Sequence, residues 1–202
     1  MDEFIEGKDI SVQVDPTLLL SEKYWSSFAD SALVDNLNGK KYIFTYFLGG
    51  YSERIKPICR FAKDQNYIIV NIPYALGETE DKENFGDVQY ISATPGDFLG
   101  LIRSAEYILT DSFHACVFSI IFKKQFYAYQ RDGKLQMMNR IVTLLNHFQI
   151  KNRIIDDLFD FKDCERIDFA EKDQTHKQLR DNSLDFLCGA LKIQRIDGEE
   201  RI

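Results

Sequence analysis

The chain has 202 residues, 45% of them hydrophobic and 28% charged, with a formal charge of −7. That length can bury a substantial core in one large domain or two small ones. The acidic balance argues against a nucleic-acid binder, whose footprint is basic. No apolar run approaches the roughly 20 residues that cross a bilayer, so no membrane span is expected. The acidic opening MDEFIEGKDI lacks an apolar signal core, and the expected location is the cytoplasm. Cys59, Cys116, Cys164 and Cys188 form no C-x-x-C pair and are expected as reduced, buried thiols, not as a disulfide frame or a zinc site.

In chain order, ISVQVDPTLLLSEKYWSSFA predicts a short strand, a turn at Asp15-Pro16 and a short helix over Ser21–Phe28. DNLNGKK is a loop by its Asn and Gly content. YIFTYFL is a near-continuous apolar strand ending at Gly49-Gly50, followed by a helix with Ile55, Ile58, Cys59 and Ala62 on one face. YIIVNI is a second buried strand, ALGETEDKENFGD a charged loop, and VQYIS (Val88–Ser92) a third strand. In TPGDFLGLIRSA, Thr94 predicts an N-cap, with Pro95 at the first helical position and Asp97 near the helix start. EYILT is a fourth strand, ACVFSIIF a helix apolar on most sides, and QFYAY a fifth strand. Met138, Ile141, Val142, Leu145 and Phe148 mark an amphipathic helix, and a last helix is expected near Leu184–Leu191. The chain divides into an N-terminal segment (1–38), a core (39–155) and a polar C-terminal segment with a packing helix (156–202).

Alternating strands and helices, with strands apolar on both faces, imply an α/β fold: a mostly parallel sheet with helices on both faces. Ligands of such sheets sit beyond the C-terminal strand ends, near helix N-termini. Two loops qualify there: Leu48 to Ser52, and Thr110 to His114.

The second loop interrupts the apolar run AEYILTDSFHACVFSIIF with an Asp, a Ser and a His. Asp111 or Ser112 suits an N-cap, and the start of a helix favours a phosphate or carboxylate. Ser112 can donate a hydroxyl hydrogen bond, and His114 can bind the anion or pass it a proton. The competing reading is a capped, buried helix with a merely hydrogen-bonded histidine. Gly49 and Gly50 either admit a ligand close to the backbone or simply make a tight turn. Arg54 could reach an anion across the sheet edge, although an exposed arginine is the commoner outcome. Arg140 is a weaker candidate anion contact. His147 and His176 read as ordinary surface residues. No ligand spacing suggests a metal.

LTDSFHACVFSIIFKKQF resembles the signature of the polysaccharide pyruvyl transferase family, which typically reads T-D-S-F-H-G, then F-S-I-I-F and K-P-F. VDPTLLL, YIFTYFLG, TPGDFLGLIRSAEYILTDS and NRIVTLLNHFQIKNR extend the resemblance over roughly Asp15 to Arg153. Ala115 stands where the family usually has Gly, and Gln125 where it has Pro, a position read as structural. The resemblance implies a Rossmann-like core like the C-terminal lobe of a two-lobed GT-B enzyme, with the N-terminal lobe missing. It implies transfer of a pyruvyl group from phosphoenolpyruvate, as co-substrate and with no other cofactor, to a saccharide acceptor in exopolysaccharide biosynthesis. His114 would be catalytic, as general acid or phosphate contact. By the resemblance Ser112 would lie with it in the donor site, and Asp111, Phe113, Ala115, Gly49, Gly50, Arg54 and Arg140 are the further candidates for contact with the donor anion. A fragment of a GT-B sugar-nucleotide transferase, or a non-catalytic interaction module, are the alternative readings.

Overall fold

The structure, a computed structural model, describes residues 11–73, 85–130, 135–161 and 165–195. Strands β1 (Tyr42–Tyr46), β2 (Ile68–Asn71), β3 (Val88–Gln89), β4 (Tyr107–Thr110), β5 (Gln125–Tyr129) and β6 (Ile154–Ile155) form one sheet. All its pairings are parallel, in the order β3-β2-β1-β4-β5-β6. This is the Rossmann order, in which winding reverses between β1 and β4 and opens a crevice at their C-terminal ends. Ile43 pairs with Tyr107 and Tyr46 with Thr110, so the two strands deliver their loops side by side.

The sheet is buried on both faces because its strands carry apolar residues at successive positions, which point to opposite sides. Phe44, Ile108 and Phe126 face one core cluster, and Ile43, Leu109 and Tyr127 face the other. The first cluster is closed by helices α4 (Pro95–Ser104), α5 (Phe113–Ile121) and α6 (Leu135–His147). The second is closed by α3 (Ser52–Gln65) together with Phe161 from the turn after β6. Two short helices precede the sheet, α1 (Glu22–Phe28) and α2 (Ala32–Asp35), and α7 (Phe169–Leu191) follows it.

The cap expected on α4 forms as a full capping box. Thr94 Oγ1 accepts from the Asp97 N–H at 3.2 Å, and Asp97 Oδ2 accepts from the Thr94 N–H at 2.8 Å. In the middle of that helix Gly100 is needed for close approach: a Cβ there would lie 1.7 Å from the carbonyl oxygen of Asp30.

Several expectations are corrected. Residues 11–15 form no strand; Asp15 instead caps a 3-10 turn over Pro16–Leu19. The third strand is two residues long, not five. The buried face of α3 carries Arg54, Ile58, Phe61 and Ala62, with Phe61 taking the place expected for Cys59, which is exposed. On α6, Leu144 is buried and Val142 is exposed. The last helix is 23 residues long and starts at Phe169. His176 is not an ordinary surface residue: its Nε2 lies 2.9 Å from the Leu18 carbonyl oxygen. With the Val14 N–H donating to Ser183 Oγ at 3.3 Å, that contact ties α7 to the N-terminal segment. Most of the charged ALGETEDKENFGD stretch and Cys164 lie outside the described residues.

Gln125, where the family usually has Pro, is buried. Its amide accepts from the Ile167 N–H at 2.7 Å and donates to the Ile167 carbonyl at 3.1 Å. Both backbone groups of one residue are satisfied by one side chain, which pins the approach to α7 against the sheet.

Candidate functional site

Strand β4 ends at Thr110, whose hydroxyl donates to the Tyr46 carbonyl at the end of β1 and accepts from the Ser112 N–H at 3.0 Å. The next residue, Asp111, is not the N-cap of α5, a position that falls to Ser112. Its carboxylate accepts from the N–H groups of Leu48 at 2.7 Å and Gly49 at 3.0 Å. Asp111 therefore clasps the loop after β1. Ser112 occupies the N-cap position but makes no side-chain cap bond. The anion-favouring start of that helix is therefore not closed off by Ser112.

Behind this clasp lies Arg54, only 3% exposed. It is neither a surface arginine nor open to the crevice. Its Nη1 is 3.5 Å from Asp111, its Nε donates to Asp157 at 2.7 Å, and its Nη2 donates to the Gln130 carbonyl at 2.9 Å. The guanidinium lies 5.2 Å from the Phe47 ring and 4.8 Å from the Tyr129 ring. A planar, delocalised cation suits that slot, since the rings cover it while carboxylates and a carbonyl take its N–H groups. Burial pushes the Tyr129 phenol above its ordinary value, and the nearby Arg54 opposes that shift. Gly49 gives its N–H to Asp111, whereas Gly50 is exposed.

In front of the clasp, on the first turn of α5, His114 faces solvent with its side chain 53% exposed. Phe113 is half-buried beside it, their rings meeting edge to face at 5.3 Å. Ala115 and Cys116 turn inward and are fully buried, and burial pushes the Cys116 thiol up, with Asp111 adding to the effect. Arg140 reaches across from α6 and stacks on Phe113 with its Cζ 4.0 Å from the ring centre. Asp15 stands next to both side chains: its Oδ2 is 3.2 Å from Arg140 Nη2 and 3.9 Å from His114 Nε2. Beside this group opens a cavity of about 390 Å³, walled by Val14, Leu18, Phe113, Arg140, Thr143 and Leu144. That is within the range of small-molecule sites, roughly 300–1,000 Å³. His147 also lines the cavity.

The sequence-predicted residues thus fall into two groups. Gly49, Asp111 and Arg54 form a buried brace, while Phe113, His114 and Arg140 gather at an open face. Asp15 and Asp157 were not expected at the site. The signal for Asp15 was present in Asp-Pro-Thr, because an Asp two residues before a Thr can accept from its N–H in an Asx-type turn. Nothing local marks Asp157.

The chain matches the family model "Polysaccharide pyruvyl transferase" over residues 3–133, more than half its length. It belongs to that family. Its TDSFH loop, the brace behind it and the face around His114 all begin within the matched segment, and Arg140 lies just beyond it. No curated protein matches this pyruvyl transferase family member. Among solved structures, one described as the glycotransferase of kitacinnamycin is similar at 10% identity with a TM-score of 0.37. The match covers 72% of this chain and 39% of that one, so the chain spans well under half of its length. Among the described residues no helix is long and apolar enough to cross a membrane.

Proposed function

We propose that this chain carries the donor site for transferring a pyruvyl group from phosphoenolpyruvate to a pair of hydroxyls on a saccharide, in the cytoplasm during exopolysaccharide biosynthesis. The observation that carries the reading is the position of His114: the first turn of α5, at the β1/β4 crevice, open to solvent, inside the family-matched segment. A catalytic histidine must reach its substrate, and one sealed in a core could not.

The chemistry uses the groups gathered there. A proton is added to the methylene carbon of the enol phosphate, two carbon–oxygen bonds form to the sugar hydroxyls, and the carbon–oxygen bond to phosphate breaks. Of the two hydroxyl protons, one replaces the proton given to the methylene carbon and the other departs with phosphate. His114 is the general acid, a role worth about 10²–10⁴-fold. Arg140 and the start of α5 hold the donor's carboxylate and phosphate. Ser112, Phe113 and Ala115 shape the loop, and Asp111, Gly49 and Arg54 brace it, with Gly50 at its outer edge. No cofactor beyond the co-substrate is required. The acceptor side is supplied by a second Rossmann-like lobe, as in a GT-B arrangement.

Competition followed by phosphorus NMR tests this reading. Phosphoenolpyruvate should broaden on adding the protein and be displaced by phosphate more readily than by a nucleoside diphosphate. Preferential binding of the nucleoside diphosphate would instead favour a sugar-nucleotide transferase.

A further inference from the structure

We infer that Asp15 is a positioning residue of this site: it aims Arg140 and His114 at one point in front of α5. The inference rests on the donor-site reading above and adds a residue to it.

Asp15 is held from behind. Its Oδ1 accepts from the Thr17 N–H at 3.1 Å and from the Thr17 hydroxyl at 2.7 Å. With that oxygen fixed, Oδ2 is left facing Arg140 Nη2 at 3.2 Å and His114 Nε2 at 3.9 Å. The three side chains differ in exposure. The Asp15 side chain is 14% exposed, against 47% for Arg140 and 53% for His114. The carboxylate is therefore the most recessed of the three groups, lining the cavity wall beside Arg140.

Arg140 needs such support. A long arginine side chain on a helix surface samples many rotamers, and ordering it for a ligand costs side-chain entropy. Here the guanidinium is restrained on two sides, by the Phe113 ring beneath it and the Asp15 carboxylate at one edge. A guanidinium fixed in this way has a planar fork ready for a carboxylate or phosphate. The ligand class is a small dianion bearing one or both of these groups.

A double-mutant cycle on the whole chain tests the inference, with phosphoenolpyruvate and inorganic phosphate as probes in phosphorus NMR titrations. Asp15→Asn keeps an oxygen acceptor for Thr17, so the turn should survive, and unchanged thermal melting would verify it. If Asp15 acts through Arg140, D15N should weaken phosphoenolpyruvate binding by about tenfold in the wild-type background and by less than about twofold in Arg140→Ala. Arg140→Lys, which keeps the charge but not the planar fork, should lose as much as D15N. An equal loss on D15N in both backgrounds would overturn the positioning role while leaving the donor site standing. Failure of the wild-type chain to bind either probe would overturn the donor site and the positioning role together.

Discussion

Arg54 Nη1 and the Asp111 carboxylate face each other 3.5 Å apart at the C-terminal edge of the sheet, with side-chain exposures of 3% and 0%. Around them the loops after β1, β4, β5 and β6 are joined by hydrogen bonds to one carboxylate or one guanidinium. The crevice is thus assembled from residues far apart in the chain, and its shape depends on an ion pair that solvent does not reach.

Removing Arg54 takes away the cation that faces the buried Asp111 carboxylate, a change that costs about 3–5 kcal/mol, whereas removing Asp111 leaves Arg54 still paired with Asp157. Arg54→Ala should therefore unfold at much lower urea than the wild type. Asp111→Asn, which keeps an acceptor for the Leu48 or Gly49 N–H, should lie between them. Equilibrium urea unfolding of the three proteins checks the order.

Gly100→Ala probes the packing of α4. The added methyl would sit inside van der Waals contact with the Asp30 carbonyl, and that neighbour is backbone. The helix has to move away, at a cost of about 1–3 kcal/mol. Thermal melting should show a lower midpoint with little loss of helix signal at low temperature.

Two buried phenols give the fold an alkaline limit. Burial pushes Tyr42 and Tyr129 above the ordinary 10.0, and Tyr42 also donates to the Leu101 carbonyl at 2.6 Å. Their folded-state values lie above the unfolded one, so the stabilisation is fully present below pH 10.0 and is lost as pH rises toward the folded values. Phenolate absorbance should rise in an early phase from exposed tyrosines and a late one that coincides with loss of circular dichroism. Tyr42→Phe and Tyr129→Phe should each reduce the late phase.

Much of this architecture could be read from residue pattern. Runs such as Tyr42–Phe47 and Tyr107–Thr110, apolar at consecutive positions, have few folds open to them besides a parallel sheet covered on both faces. Thr94, Pro95 and Asp97 announced a helix start through purely local chemistry. What escaped was non-local. Asp111 and Ser112 look like caps because capping is the local use of those side chains, but the partners of Asp111 lie more than 50 residues earlier. Arg54 looks exposed because nothing near it in sequence supplies Asp157, the Gln130 carbonyl or the Tyr129 ring. The first half of α7 reads as a polar stretch because Glu171, Lys172, Asp173 and Gln174 carry no broad apolar stripe. Its helix is stabilised instead by the Asp168 cap, by Leu179 packed on the core and by contact with the Pro16–Leu19 turn.

Calorimetric titration of phosphoenolpyruvate into wild-type and His114→Ala protein asks whether a small anionic donor rests against His114 at the start of α5. His114 is exposed, so the substitution should leave the circular dichroism unchanged. Wild-type protein should bind measurably, and binding should drop by at least about tenfold in the variant. Equal binding by the two proteins would rule out His114 as part of the donor site.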